Sequence, residues 1–157
     1  MTAGFVYRST KTYNHSIGLA CCFRQWRATD SHCQYLHGYA LKVKLMFASP
    51  TLDNRNWVVN FGGLKPVKAW LESQFDHKTV VAEDDPQMSV FLQMEAEGLI
   101  QLVVVKATGC EKFAEMIFDW VSDWLKLNIR PTNPGVWLEA VEVAEHDGNS
   151  AIVSRIV

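Results

Sequence analysis

Between Tyr39 and Phe47 the chain alternates: Tyr39, Leu41, Val43, Leu45 and Phe47 fall on one parity, Lys42 and Lys44 on the other. Residues two apart in a strand project from the same face. This stretch therefore settles best as a strand with one side in a core and the other toward polar surroundings. Such a strand needs neighbours along its edges and a second layer over its apolar face. Val136 to Glu145 offers a matching strand near the other end of the chain, and Ala151 to Val157 reads as one more. An earlier extended segment runs from about Ile17 to Trp26.

The covering layer is legible between these strands. Gly62-Gly63 opens a helix that places Leu64, Val67, Leu71 and Phe75 on one face. Pro66 falls in its first turn, where the missing N–H costs nothing. A second amphipathic helix runs from about Cys110 to Leu127, with Phe113, Met116, Ile117, Trp120, Val121, Trp124 and Leu125 on its apolar side. Trp57 to Phe61 is a short apolar run, and Ile100 to Val105 reads as a buried strand or an apolar connector. The order is β-β, helix, helix, β-β. That order predicts an α+β fold, an antiparallel sheet with helices on one face, within a single domain over residues 1–157.

Charge and cysteine content narrow the function. The formal net charge is -2 with no basic run, which argues against nucleic acid as a partner. No apolar run approaches the roughly 20 residues of a membrane span, and the N-terminus lacks the apolar region of a signal peptide. A cytoplasmic location is expected. The cysteines, Cys21, Cys22, Cys33 and Cys110, include no C-x-x-C pair and read as reduced thiols. Six Trp in so short a chain suggest large buried contacts, including contacts between subunits.

Three places carry chemistry. Cys33-Gln34-Tyr35-Leu36-His37-Gly38-Tyr39 brings a thiol, an imidazole and a phenol to one strand entrance. The plainer alternative is a packed Cys33 and a hydrogen-bonded core His37. Asp76-His77 follows the first helix directly; the carboxylate would orient the imidazole for acid–base work, or the pair is an ordinary helix-end cap. Glu145 shares the parity of Val141 and Val143. On an apolar face it requires a partner, and a ligand with two adjacent N–H donors would satisfy it bidentately. At a strand end it is equally a solvated carboxylate.

Taken in order, these motifs resemble the 6-pyruvoyltetrahydropterin synthase / 6-carboxytetrahydropterin synthase family. The family's C-x-x-x-H-G-H motif looks like Cys33 to Tyr39, its D-F-x-x-L-K helix entrance like Asn60 to Lys65, and its Asp-His step like Asp76-His77. Its P-T-S-E-N helix start is similar to Thr108-Gly109-Cys110-Glu111, and its final glutamate matches Glu145. The resemblance implies a tunnelling (T-fold) architecture, a four-stranded antiparallel sheet with two helices on one face, closed into a barrel by oligomerisation into trimers or hexamers, with active sites between subunits. It implies a lyase acting on 7,8-dihydroneopterin triphosphate. The product is 6-pyruvoyltetrahydropterin or, with loss of acetaldehyde, 6-carboxytetrahydropterin, which feeds 7-deazapurine (queuosine-type) synthesis. Cys33 would be the thiolate base, His77 oriented by Asp76 its acid–base partner, and Glu145 the anchor for the pterin ring.

The same resemblance implies Zn²⁺ held by three histidines, and here the chain departs. Tyr39 stands where the second histidine of H-G-H would be. The first-strand histidine falls on Cys22 without a gap, or on Phe23 with a one-residue gap that also brings Arg24 into register. His15 with a longer connector is a third option. Cys22, His37 and Tyr39 are the residues left to serve as metal ligands. If the metal is lost, Arg24, Arg27 or His32 would have to supply positive charge. The resemblance then leaves room for a metal-free T-fold enzyme on another pterin or purine-like ring, or for a non-catalytic pterin-binding protein.

Overall fold

The computed structural model describes residues 4–156. Its larger sheet is antiparallel and contains β1 (Tyr7–Tyr13), β4 (Lys42–Ser49), β7 (Trp137–His146) and β8 (Asn149–Ser154), in the order β1-β4-β7-β8. The alternation that predicts β4 is realised there: Val43, Leu45 and Phe47 are fully buried, while Lys42 and Lys44 are half-exposed. β4 lies between β1 and β7, and β1 and β8 are the two outer strands.

Helices α1 (Lys65–Phe75) and α3 (Cys110–Asn128) supply the covering layer. Val67, Leu71 and Phe75 of α1 and Phe113, Ile117, Val121 and Leu125 of α3 are buried in one core with the strands. Trp70 and Trp120 stack at 4.3 Å, clamping α1 to α3, so these two tryptophans are spent on a contact within the chain. Asn60 accepts a hydrogen bond from the Gly62 N–H (3.0 Å) and caps the 3-10 turn that leads into α1.

A second, smaller sheet sits beside the first. It runs β3-β2-β5-β6, with β2 (Ala20–Phe23) antiparallel to β3 (His37–Ala40) and parallel to β5 (Lys78–Ala82), and β5 parallel to β6 (Leu102–Val105). The expected strand from Tyr39 onward is thus divided at Leu41: His37–Ala40 pairs in the small sheet, Lys42–Ser49 in the large one. The expected segment Ile17 to Trp26 is a strand only over Ala20–Phe23, and Trp57 to Phe61 is not a strand. Three elements were not anticipated: β1, β5 and α2 (Met88–Ala96). β1 is an edge strand rich in polar residues, and α2 buries only Phe91, so neither has a strong periodic signature. No helix among the described residues is long and apolar enough to cross a membrane.

The segment after β2 is tied to the turn after β5 by a buried ion pair. Arg24 donates from Nε and Nη2 to the two carboxylate oxygens of Asp85, at 2.8 and 2.6 Å. Burial of Asp85 opposes its charge, yet the Arg24 guanidinium and the Gln87 N–H outweigh that and hold its pKa below the usual carboxylate range. A depressed folded-state pKa stabilises above the unfolded value of about 3.9 and loses that contribution as pH falls through the lower folded value. Asp85→Asn should therefore destabilise the protein by about 3 kcal/mol at neutral pH, because it strands a half-buried guanidinium. In urea titrations the two stability curves should converge in acid; a gap that persists undiminished to about pH 2 would contradict the assignment.

Candidate active site

Cys33 lies in a 3-10 turn, His32–Gln34, capped by the Ser31 hydroxyl, which accepts a hydrogen bond from the Cys33 N–H (3.2 Å). The Cys33 carbonyl accepts from the Gln25 N–H (2.7 Å). The loop between β2 and β3 is thereby folded back on itself, and the thiol comes to the entrance of β3. Cys33, His32, Tyr35, His37 and Tyr39 line one depression of ≈ 510 Å³.

Cross-strand register decides what faces that depression. Phe23 pairs with His37, Cys22 with Gly38, and Cys21 with Tyr39. Directly opposed residues share a face, so Phe23, His37 and Tyr39 stand together. Their ring centroids are 5.6 Å (Phe23–His37), 6.1 Å (Phe23–Tyr39) and 5.2 Å (His37–Tyr39) apart. His37 Nδ1 lies 2.6 Å from the Tyr35 carbonyl oxygen. A proton there donates to the carbonyl and leaves Nε2 as the open nitrogen.

Glu145 belongs to the large sheet and lies close enough for its charge to act on Tyr39. It sits in β7 where the pairing with β8 shifts register between Ala144 and His146, and such a bulge re-aims side chains. Burial raises the pKa of the Tyr39 phenol, and the nearby charges of Glu145, Cys33 and Cys110 raise it further. The His146 ring is 6.4 Å from Tyr39. Cys110, at the start of α3, is pushed up to about 12 by burial, with the charges of Glu145 and Glu111 adding, while the Glu145 N–H points at its sulfur. A thiol in that state is a packing group, not a nucleophile. Gly109 precedes it with φ 111°, and a Cβ there would come within 2.6 Å of Gln25 Nε2. Only glycine brings the helix start this close to the Cys33 loop.

His146 is thus a neighbour of the site that sequence reasoning did not assign to it, while Phe23, weighed there only as the position aligned with a zinc histidine, and Cys110, matched only as part of a helix start, take their places as packing groups.

Asp76 and His77 lie elsewhere. Asp76 ends α1, and His77 adopts a left-handed conformation (φ 57°), which costs about 1 kcal/mol in a non-glycine residue. The turn is held by the His77 N–H donating to the Ala20 carbonyl (2.7 Å) and by His77 Nδ1 on Asp76 Oδ1 (2.7 Å). The imidazole is 80% exposed. It opens on a second depression of ≈ 560 Å³ shared with Cys22, Thr79, Leu99 and Gln101. Within one chain, His77 and Cys33 border different depressions.

The three residues considered as metal ligands do not assemble. Cys22 projects to the opposite face of the small sheet, where its sulfur lies 3.3 Å from Thr79 Oγ1, away from His37 and Tyr39. The fully buried ring of Phe23 occupies the place facing His37. His15 is engaged by the Ala40 carbonyl at Nδ1 and lies 3.5 Å from Asp147 at Nε2. No group of three or more His, Cys, Asp or Glu among the described residues could hold a metal ion. The donor set therefore does not fit a catalytic zinc, which takes three protein ligands. Arg24 is committed to Asp85, and Arg27 to Asp84 at 2.7 Å, which leaves His32 as the one of these three side chains that lines the Cys33 depression.

Comparison with known proteins identifies the family and the fold. The family model described as 6-pyruvoyl tetrahydropterin synthase matches residues 13–155. A 6-carboxy-5,6,7,8-tetrahydropterin synthase of Rickettsia felis is 35% identical over 60 residues, 38% of this chain and 44% of that protein. The chain thus aligns with less than half the length of that curated relative. A crystal structure of an uncharacterized protein of Wolinella succinogenes superposes with a TM-score of 0.75 at 22% identity, covering 97% of this chain and 99% of the other. The 6-pyruvoyl tetrahydropterin synthase of Plasmodium falciparum gives 0.68 at 14% identity, covering 97% and 99%. These two likenesses speak for the fold.

Proposed function

This chain belongs to the 6-pyruvoyl tetrahydropterin synthase family, and from that premise we propose that it is a lyase of the 6-carboxytetrahydropterin synthase type acting on 7,8-dihydroneopterin triphosphate. The observation that carries the reading is the depression that Cys33, His37 and Tyr39 line together, with the Glu145 carboxylate close enough for its charge to act on the Tyr39 phenol. The name of the Rickettsia relative favours the 6-carboxy product over the 6-pyruvoyl one, and with it a place in 7-deazapurine (queuosine-type) synthesis.

Glu145 accepts two hydrogen bonds from the pterin's 2-amino group and adjacent ring N–H, a bidentate match that fixes the ring. The Cys33 thiolate takes a proton from a side-chain carbon and returns it at the neighbouring one. The triphosphate departs with the electron pair of its C–O bond; a water then adds to the side-chain carbonyl next to the ring, and the bond to the second side-chain carbon breaks, leaving a carboxylate on the ring and, after that carbon takes up a proton, acetaldehyde. His77, oriented by Asp76, is the second acid–base group. Since His77 and Cys33 border different depressions of one chain, the working pair combines Cys33 of one subunit with His77 of a neighbour. The outer strands β1 and β8 are the edges through which copies join into a barrel, and pairing them removes the liability of open edges.

Incubation with dihydroneopterin triphosphate, followed by mass spectrometry, tests the reading. The expected result is loss of triphosphate with appearance of a carboxylated tetrahydropterin and acetaldehyde; recovery of intact substrate would overturn it. Glu145→Gln keeps the shape but loses the charge-assisted pair. It should weaken pterin binding about 10- to 100-fold in fluorescence titrations. Unchanged affinity would remove Glu145 from the ring-anchoring role.

A further inference from the structure

The place opposite His37, where a further metal ligand would be needed, is filled by hydrocarbon. Phe23 is fully buried there, in register with His37, and Phe113 backs it edge-on at 5.0 Å. A divalent cation at His37 Nε2 would meet aromatic carbon where it needs a donor atom. On the same face stands a different polar group, the Tyr39 hydroxyl. It borders the Cys33 depression. A neutral phenol is a hydrogen-bond donor, and His37 Nε2, with its other nitrogen held by the Tyr35 carbonyl, is an acceptor. A hydroxylated carbon chain offers both complementary groups, an oxygen to accept and a hydroxyl proton to donate.

We propose that Tyr39 and His37 bind the hydroxylated side chain of the pterin directly by hydrogen bonds, so that side-chain recognition at this site needs no metal. The proposal rests on the reading of the depression as a pterin pocket. In it, Glu145 reads the ring and the Tyr39–His37 pair reads the side chain. The donor is placed where negative charge would develop on a side-chain oxygen during proton transfer, and its position is set before the ligand arrives.

Fluorescence titration of the full-length protein with two probes tests this: neopterin, which carries the trihydroxypropyl chain, and pterin, which has no side chain. Wild type should bind neopterin more tightly, and treatment with a chelator should leave both affinities unchanged. Tyr39→Phe, which keeps the ring and its packing, should weaken neopterin about 5- to 10-fold and leave pterin alone. Equal effects on the two probes, or no effect on neopterin, would overturn the Tyr39 assignment. So would about one tightly bound zinc per chain whose removal weakens neopterin. Failure of both probes to bind wild type would instead bring down the pterin reading itself, and this proposal with it.

Discussion

Cys33→Ala should reduce product formation from dihydroneopterin triphosphate by at least about 10³-fold, at the upper part of what a positioned acid–base group contributes. The expectation follows from how the thiol is held. Its backbone is pinned by the Ser31 cap and by the Gln25 N–H, so the side chain is delivered to the depression without itself stabilising the loop. Truncating a half-buried thiol leaves those backbone bonds intact, and the fold should be unaffected. Pterin affinity should stay within a factor of about two to three, since ring binding is assigned to Glu145 and side-chain binding to Tyr39 and His37. Cys33→Ser should be nearly as inactive, because a hydroxyl ionises far less readily than a thiol. Single-turnover mass spectrometry beside fluorescence binding separates the two quantities. Turnover within tenfold of wild type would show that another group moves the proton.

Phe113→Ala should destabilise the protein by about 3–5 kcal/mol, measured by urea unfolding. Phe113 is fully buried at the start of α3 and packs edge-on against Phe23 of β2 (5.0 Å) and Phe75 of α1 (5.2 Å). It is the point where both helices and the small sheet meet. Removing the ring leaves a cavity bordered by two aromatic rings that cannot collapse into it without moving a strand or a helix. Total stabilities of domains this size are about 5–15 kcal/mol, so a large share would be lost. The effect should reach function, because Phe23 packs against both His37 and Tyr39. Neopterin affinity should fall with stability in this variant and not in a surface variant of α3. A cost below about 1 kcal/mol would mean the aromatic cluster is not the joint between the layers.

The elements that could be read from the chain are those whose patterns repeat. β4 alternates over its whole length with one buried face, and α3 keeps an apolar stripe for five turns. β1, β5 and α2 could not be read because their environments are not simple. β1 is a polar edge, β5 is so short and so fully buried that it lacks alternation, and α2 shows only Phe91 to the core. The break at Leu41 was equally hidden. An unbroken alternating run gives no sign that its first four residues pair in one sheet and the remainder in another.

Local sequence determined the α+β character, the two covering helices, and the chemistry-bearing types Cys33, Asp76, His77 and Glu145, since periodicity and side-chain chemistry are properties of short segments. It left open whether Cys22, Phe23 or His15 belonged beside His37. Tertiary structure decided that question through cross-strand register, which puts Phe23 in front of His37 and turns Cys22 to the other face. It also brought Glu145 and Cys110 to Tyr39 from positions far along the chain, and it separated His77 from Cys33. Those relations are set by which strand pairs with which, and at what offset. A one-residue change in that offset reverses every side chain, and no local pattern records it.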